Sequence, residues 1–128
     1  MSIWNDYSIE RKVRDILDVA PRRGADHFGR PFLTAYQIAI LFAERYREDM
    51  DAIGKEIGGL GTGLSHSLAQ YLARELSQRL RTGRLPGIEG RFLHGTRLKA
   101  LKYRSPDGDI MSSTGTASDL SMFRLADD

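Results

Sequence analysis

The hydrophobic pattern of this chain changes period near Gly87, and no other feature restricts its fold as strongly. Before that point apolar residues recur at helical spacing; beyond it they fall in short runs separated by turn residues. Helices that precede a run of short strands define an α+β arrangement. The expected architecture is an N-terminal bundle of three to four helices followed by a small antiparallel sheet or hairpin. A chain of 128 residues suits one domain, 1–128, burying roughly two thirds of its unfolded surface around a single core.

The first helix is expected from Ile9 to Val19, because Ile9, Val13, Ile16, Leu17 and Ala20 follow one helical face, with Ser8 at the N-cap and Pro21 as the stop. Residues 21–31, PRRGADHFGRP, read as a connection. Thr34 and Gln37 form a T-x-x-Q capping box, which predicts a second helix from Ala35. Its residues Ile38, Ala39, Leu41, Phe42 and Tyr46 make it the central helix of the core. The acids Glu48, Asp49 and Asp51 suit the start of a short third helix, Met50 to Ile57. The clearest helix runs from His66 to Thr82. There Leu68, Leu72, Leu76 and Leu80 form one stripe, Ser65 is the expected cap and Gly83 the expected stop.

Strand candidates are Arg91 to Leu93, Leu98 to Arg104, Ile110 to Ser113 and Leu120 to Leu125. Ser105-Pro106-Asp107-Gly108 suits a type I turn that joins the second and third into a hairpin.

Several chemistries are excluded at this level. No cysteine is present, so disulfides, thiolate nucleophiles and zinc-finger ligation are absent. His27, His66 and His94 lack any paired ligand spacing, so no metal and no cofactor is expected. Ser65-His66-Ser67 has no third triad member, and Pro106-Asp107 has no downstream acid-x-Lys; no catalytic residue is assigned. The first residues do not read as a signal peptide, and the most apolar stretch, Ala35 to Ala43, falls far short of the roughly 20 residues a bilayer requires. The expectation is a cytoplasmic protein that does not engage membranes.

Charge is unevenly distributed. Residues 60–104 hold nine Lys and Arg against two acids, or +7, while the other 83 positions hold ten basic and fifteen acidic residues, or −5. On the helix from His66 to Thr82, the side opposite the leucines carries Ser67, Gln70, Tyr71, Arg74, Gln78 and Arg81 without an acid. Such amides and guanidinium groups can make bidentate contacts with base edges. Arg84, Arg91, Arg97, Lys99, Lys102 and Arg104 follow, the last four along or near the predicted hairpin, where Lys and Arg can neutralise phosphates.

The loop Gly58-Gly59-Leu60-Gly61-Thr62-Gly63 has the glycine spacing of a phosphate-binding P-loop, but Leu64 occupies the lysine position, so nucleotide hydrolysis is not expected. A helix start with open backbone donors can still hold a nucleic-acid phosphate, which makes Gly61, Thr62, Gly63 and Ser65 candidate phosphate contacts.

From Ala35 to Ser113 the order of a core helix, a short helix, a longer amphipathic helix, Gly-Arg-Leu at 83–85 and a hairpin resembles a winged helix-turn-helix domain. The resemblance implies that Ser65 to Arg81 is a recognition helix, with His66, Ser67, Gln70 and Arg74 nearest the bases. It implies that the turn at 105–108 is the tip of a wing, with Lys102 and Arg104 closest to the phosphate backbone. A longer glycine loop between the paired helices and an acidic tip, Asp107 and Asp109, depart from that pattern.

Three function classes follow. The first is a nucleic-acid-binding protein, with double-stranded DNA as the expected partner and a homodimer compatible with it. The alternative is a protein-interaction module, such as an antitoxin, inhibitor or accessory subunit, whose apolar anchor would come from Phe92, Tyr103, Met122 or Phe123. The third is an enzyme acting on a phosphorylated metabolite through the glycine loop.

Overall fold

In the computed structural model, which describes residues 2–59, 67–112 and 120–126, the chain opens with a four-residue helix, α1 (Ile3–Asp6). Ser2 starts it, its Oγ accepting the Asn5 N–H at 3.2 Å. Helix α2 (Ile9–Leu17) buries Ile9, Val13, Ile16 and Leu17 completely, as their spacing predicts. Ser8 occupies the N-cap position with left-handed backbone (φ 50°) but makes no side-chain capping bond. The helix stops two residues before the expected Val19, and Ala20 lies outside it, exposed. Pro21 keeps Ala20 out of helical backbone, and the Val19 N–H turns to the Leu17 carbonyl at 2.8 Å, a tight turn that leaves the helical ladder at Leu17.

The Thr34 and Gln37 box forms as expected. Thr34 Oγ1 accepts the Gln37 N–H at 3.3 Å, and Gln37 Oε1 accepts the Thr34 N–H at 2.7 Å. It starts α3 (Ala35–Arg45), whose Ile38, Ala39 and Phe42 are fully buried among α2, α5 and the sheet. Helix α4 (Arg47–Ile53) lies earlier than the expected Met50 to Ile57. Gly54 ends it in left-handed conformation (φ 74°), its N–H donating to the Met50 carbonyl at 3.1 Å, so Glu48 and Asp49 fall in the first turn, where acids favour the helix dipole. Lys12, buried on α2, pairs with Asp49 and so ties α4 to α2.

Helix α5 (Leu68–Arg81) has Leu68, Leu72 and Leu76 at its buried centre. It ends as its sequence predicts. Gly83 (φ 74°) donates to the Leu80 carbonyl at 3.1 Å and Arg84 to the Arg79 carbonyl at 2.8 Å, the paired bonds of a Schellman cap.

Three strands form an antiparallel sheet in the order β1 (Leu33–Thr34), β5 (Leu120–Leu125), β2 (Ile88–Leu93). The register sets Gly90 opposite Phe123 and Leu93 opposite Leu120. Phe123 is 1% exposed beneath the helices, and one contiguous core runs from Trp4 to Phe123. The fold is α+β, and β1, ahead of the central helix, belongs to the sheet, which was not expected.

The hairpin also differs from expectation. Its turn forms, with the Gly108 N–H donating to the Ser105 carbonyl at 3.1 Å, but its strands β3 (Lys102–Tyr103) and β4 (Ile110–Met111) are two residues each and make a separate sheet inserted between β2 and β5. A side chain cuts the ladder short: the Leu101 N–H donates to Ser112 Oγ at 2.9 Å, and the Ser112 N–H returns to the Leu101 carbonyl at 2.8 Å. Ser113, the expected end of that strand, lies outside the described residues. Tyr103 is buried and stacks on Tyr36 of α3, with ring centroids 5.4 Å apart.

Candidate functional site

The outward side of α5 divides differently from the simple opposition of leucines and polar residues. Ser67 is 3% exposed and serves as the N-cap, its Oγ accepting the Gln70 N–H at 3.1 Å. Tyr71 is 9% exposed. Both were expected to contact bases, and both belong to the interior. The cause is a wider buried arc than the leucine stripe implies. Gly58 and the chain before it cover the start of α5, and Trp4 lies against its later turns, with Arg79 stacked 4.0 Å over the indole. Arg79 also bonds Glu75, four residues before it, at 3.1 Å, so this cation is committed to the fold.

The polar residues that remain at the surface form a narrower stripe. Gln70 is half-buried, and Arg74, Gln78 and Arg81 are exposed. Arg74 lies 3.9 Å from Glu75, a loose pair because Glu75 is held closer by Arg79. Arg84 continues past the helix end, exposed, with its Nε donating to Thr82 Oγ1 at 2.8 Å.

Arg74, Ser77, Gln78 and Arg81 form one side of an open groove of about 630 Å³, and Phe92 of β2 forms the other. Phe92 is 68% exposed. Of the four proposed apolar anchors it is the one fully available, since Tyr103 and Phe123 are buried and Met122 is half-buried. The signal for it was present but ambiguous. Ile88, Gly90 and Phe92 share one face by strand alternation, and only the position of α5 reveals that the third of them extends past the core.

The hairpin cations have other neighbours. Lys99, Lys102 and Arg104 are exposed, and Lys102 faces Asp109 at 3.5 Å. The expected wing tip does not project: Asp107 lies 3.7 Å from Arg47 of α4, and the turn borders a groove of about 550 Å³ with Met50, Asp51 and Ile57. The hairpin is anchored by the buried Tyr103 ring on Tyr36 of α3, the exposed Arg47–Asp107 pair adding little.

The helix start that was expected to offer open donors is occupied. The Leu68 N–H donates to the Glu56 carbonyl at 2.7 Å, Ala69 to Ile57 at 2.9 Å, Gln70 to Ser67 Oγ and Tyr71 to the Ser67 carbonyl at 3.0 Å. A phosphate finds no donor in this first turn. The candidate contacts Gly61, Thr62, Gly63 and Ser65, and the base contact His66, lie outside the described residues. Gly58 and Gly59 are buried packing elements with φ of 128° and 116°. Among the described residues, no three acids or histidines are grouped to hold a metal ion, and no helix is long and apolar enough to cross a membrane.

Two buried hydroxyls respond to pH. Burial pushes Tyr103 above the ordinary tyrosine value, Thr34 partly opposing and Tyr36 adding; burial and then Glu75 push Tyr71 the same way, against Arg79, Arg74 and the Trp4 backbone. The folded chain therefore keeps protons that the unfolded chain releases above about pH 10. Their contribution is fully present below that value and is lost as pH rises through the folded values. Thermal melts from pH 8 to 11 should show stability falling above about pH 10, and the Tyr71→Phe, Tyr103→Phe double variant should show a shallower fall. An identical fall in the variant would assign the alkaline sensitivity to other groups.

Compared with known proteins, the chain matches no family model, no curated protein and no solved structure.

Proposed function

We propose that this protein binds nucleic acid through the outer stripe of α5, Gln70, Arg74, Gln78 and Arg81, with Arg84 extending it, and that double-stranded DNA is a partner. The observation that carries the reading is that Arg74, Gln78, Arg81 and Arg84 are exposed, with Gln70 half-buried beside them, and that the stripe contains no acid, its neighbour Glu75 being taken by Arg79. An α-helix fits the major groove, where arginine reads guanine edges and glutamine reads adenine. The order of helices α3, α4 and α5 followed by strand β2 supports the likeness to a winged helix-turn-helix layout. Lys102 and Arg104 are exposed on a separate hairpin, Lys102 facing Asp109 at 3.5 Å, and the α5 stripe carries the reading without them.

The test is fluorescence anisotropy of a labelled random 25-mer duplex titrated with the protein between about 50 and 200 mM salt. The three exposed cations of the stripe, Arg74, Arg81 and Arg84, predict a log-log slope of about −2.7. Absence of binding at the lowest salt would reject the proposal.

A further inference from the structure

We infer that Phe92 is a stacking platform for an unpaired base, so that the α5 groove accepts nucleic acid with a single-stranded or extruded nucleotide. This rests on the nucleic-acid reading above and specifies the ligand more closely.

Gly90 sets the geometry. A Cβ there would lie 2.7 Å from Leu80 Cδ1 and 3.5 Å from the Phe123 ring, so α5 and β2 meet closely at this residue. Two residues later on the same face, Phe92 emerges from under the helix. It borders the groove with Arg74, Gln78 and Arg81 on one side and a smaller apolar hollow, about 160 Å³ and including Leu80 and Gly90, on the other.

A large aromatic ring left 68% exposed within a strand is not serving the core. The ligand that complements it must present a flat π-face together with negative charge, because guanidinium groups line the same groove. An unpaired base on its phosphate backbone has both. The base covers the ring, Arg74 and Arg81 neutralise the adjoining phosphates, and the Gln78 amide is placed to bond a base edge. Bases within an intact duplex are already stacked on each other and cannot use this ring.

The experiment compares three labelled DNA probes of equal length, a blunt duplex, the same duplex with a single-stranded overhang, and the single strand, plus the single strand as RNA. Wild type, Phe92→Ala and Phe92→Trp are measured, each checked for an unchanged melting temperature, which the exposure of this residue predicts. Wild type should bind the overhang and single-strand probes more tightly than the blunt duplex. Phe92→Ala should weaken those two by about tenfold or more while leaving the blunt duplex unchanged, and Phe92→Trp should retain them with quenched indole fluorescence. Equal losses on all probes, or no loss with Phe92→Ala, would overturn the stacking role while leaving nucleic-acid binding intact. If wild type binds no probe at low salt, both readings fall, and an acidic protein becomes the partner to seek. The RNA arm determines which sugar the site prefers.

Discussion

Replacing Arg74 and Arg81 together by alanine should weaken duplex binding by a factor of about 30 to 20,000 at moderate salt, because each lost arginine contact costs about 1–3 kcal/mol. The salt slope should become shallower by up to about two units if both side chains meet phosphates. Fold stability should stay within about 0.5 kcal/mol of wild type, since both residues are exposed and the Arg74 pair with Glu75 is long and surface-screened. Anisotropy and thermal melts on the same preparations separate the two effects. The double lysine variant adds a second distinction: restored charge rescues phosphate contacts but not bidentate reading of guanine. A folded alanine variant that binds as wild type would remove α5 from the interface.

Gly59→Ala is the substitution expected to harm stability most for its size. A Cβ at Gly59 would lie 2.5 Å from Ile110 Cγ2 and 2.7 Å from the Met111 carbonyl oxygen, and the backbone φ of 116° is one that side-chain-bearing residues rarely adopt. The isoleucine methyl can rotate away, but the carbonyl belongs to β4 and moves only with the hairpin. Conformational strain and overpacking each cost about 1–3 kcal/mol, so a loss of about 2–5 kcal/mol and a drop in melting temperature of roughly 10 °C or more are expected. Gly54→Ala is the control. Its φ is also positive, at 74°, but nothing lies within 4 Å, so it should cost only about 1 kcal/mol. Equal effects at the two positions would mean that the hairpin yields, and that the contact with β4 is not structural.

The glycine loop that begins at Gly58 also shows where reading the sequence stops. Four glycines between residues 58 and 63 mark a loop, and their spacing invites comparison with a phosphate cradle. Of the described pair, Gly58 instead lets the chain pass close to the start of α5, and Gly59 lets it pass close to β4. Local sequence carries no record of which distant strand will press on a glycine. The hairpin cations tell the same story: Lys102 and Arg104 were legible as charge, but Asp107 meets Arg47 only once the chain has folded.

What the chain determines by itself is what depends on neighbours in sequence. The capping box at Thr34 and Gln37, the leucine stripe of α5, its Schellman cap at Gly83, the turn at 105–108 and the pairing of Glu75 with Arg79 all involve residues within a few positions of each other. Their hydrogen bonds and side-chain periodicity are fixed by backbone geometry, so residue order alone specifies them. The tertiary structure decided what depends on partners far along the chain. It placed β5 between β1 and β2, set Trp4 against Arg79, buried Tyr71 and Ser67, and brought Phe92 to the rim of the α5 groove. These outcomes follow from how the helices close over the sheet, because burial belongs to the packed assembly and not to any one segment.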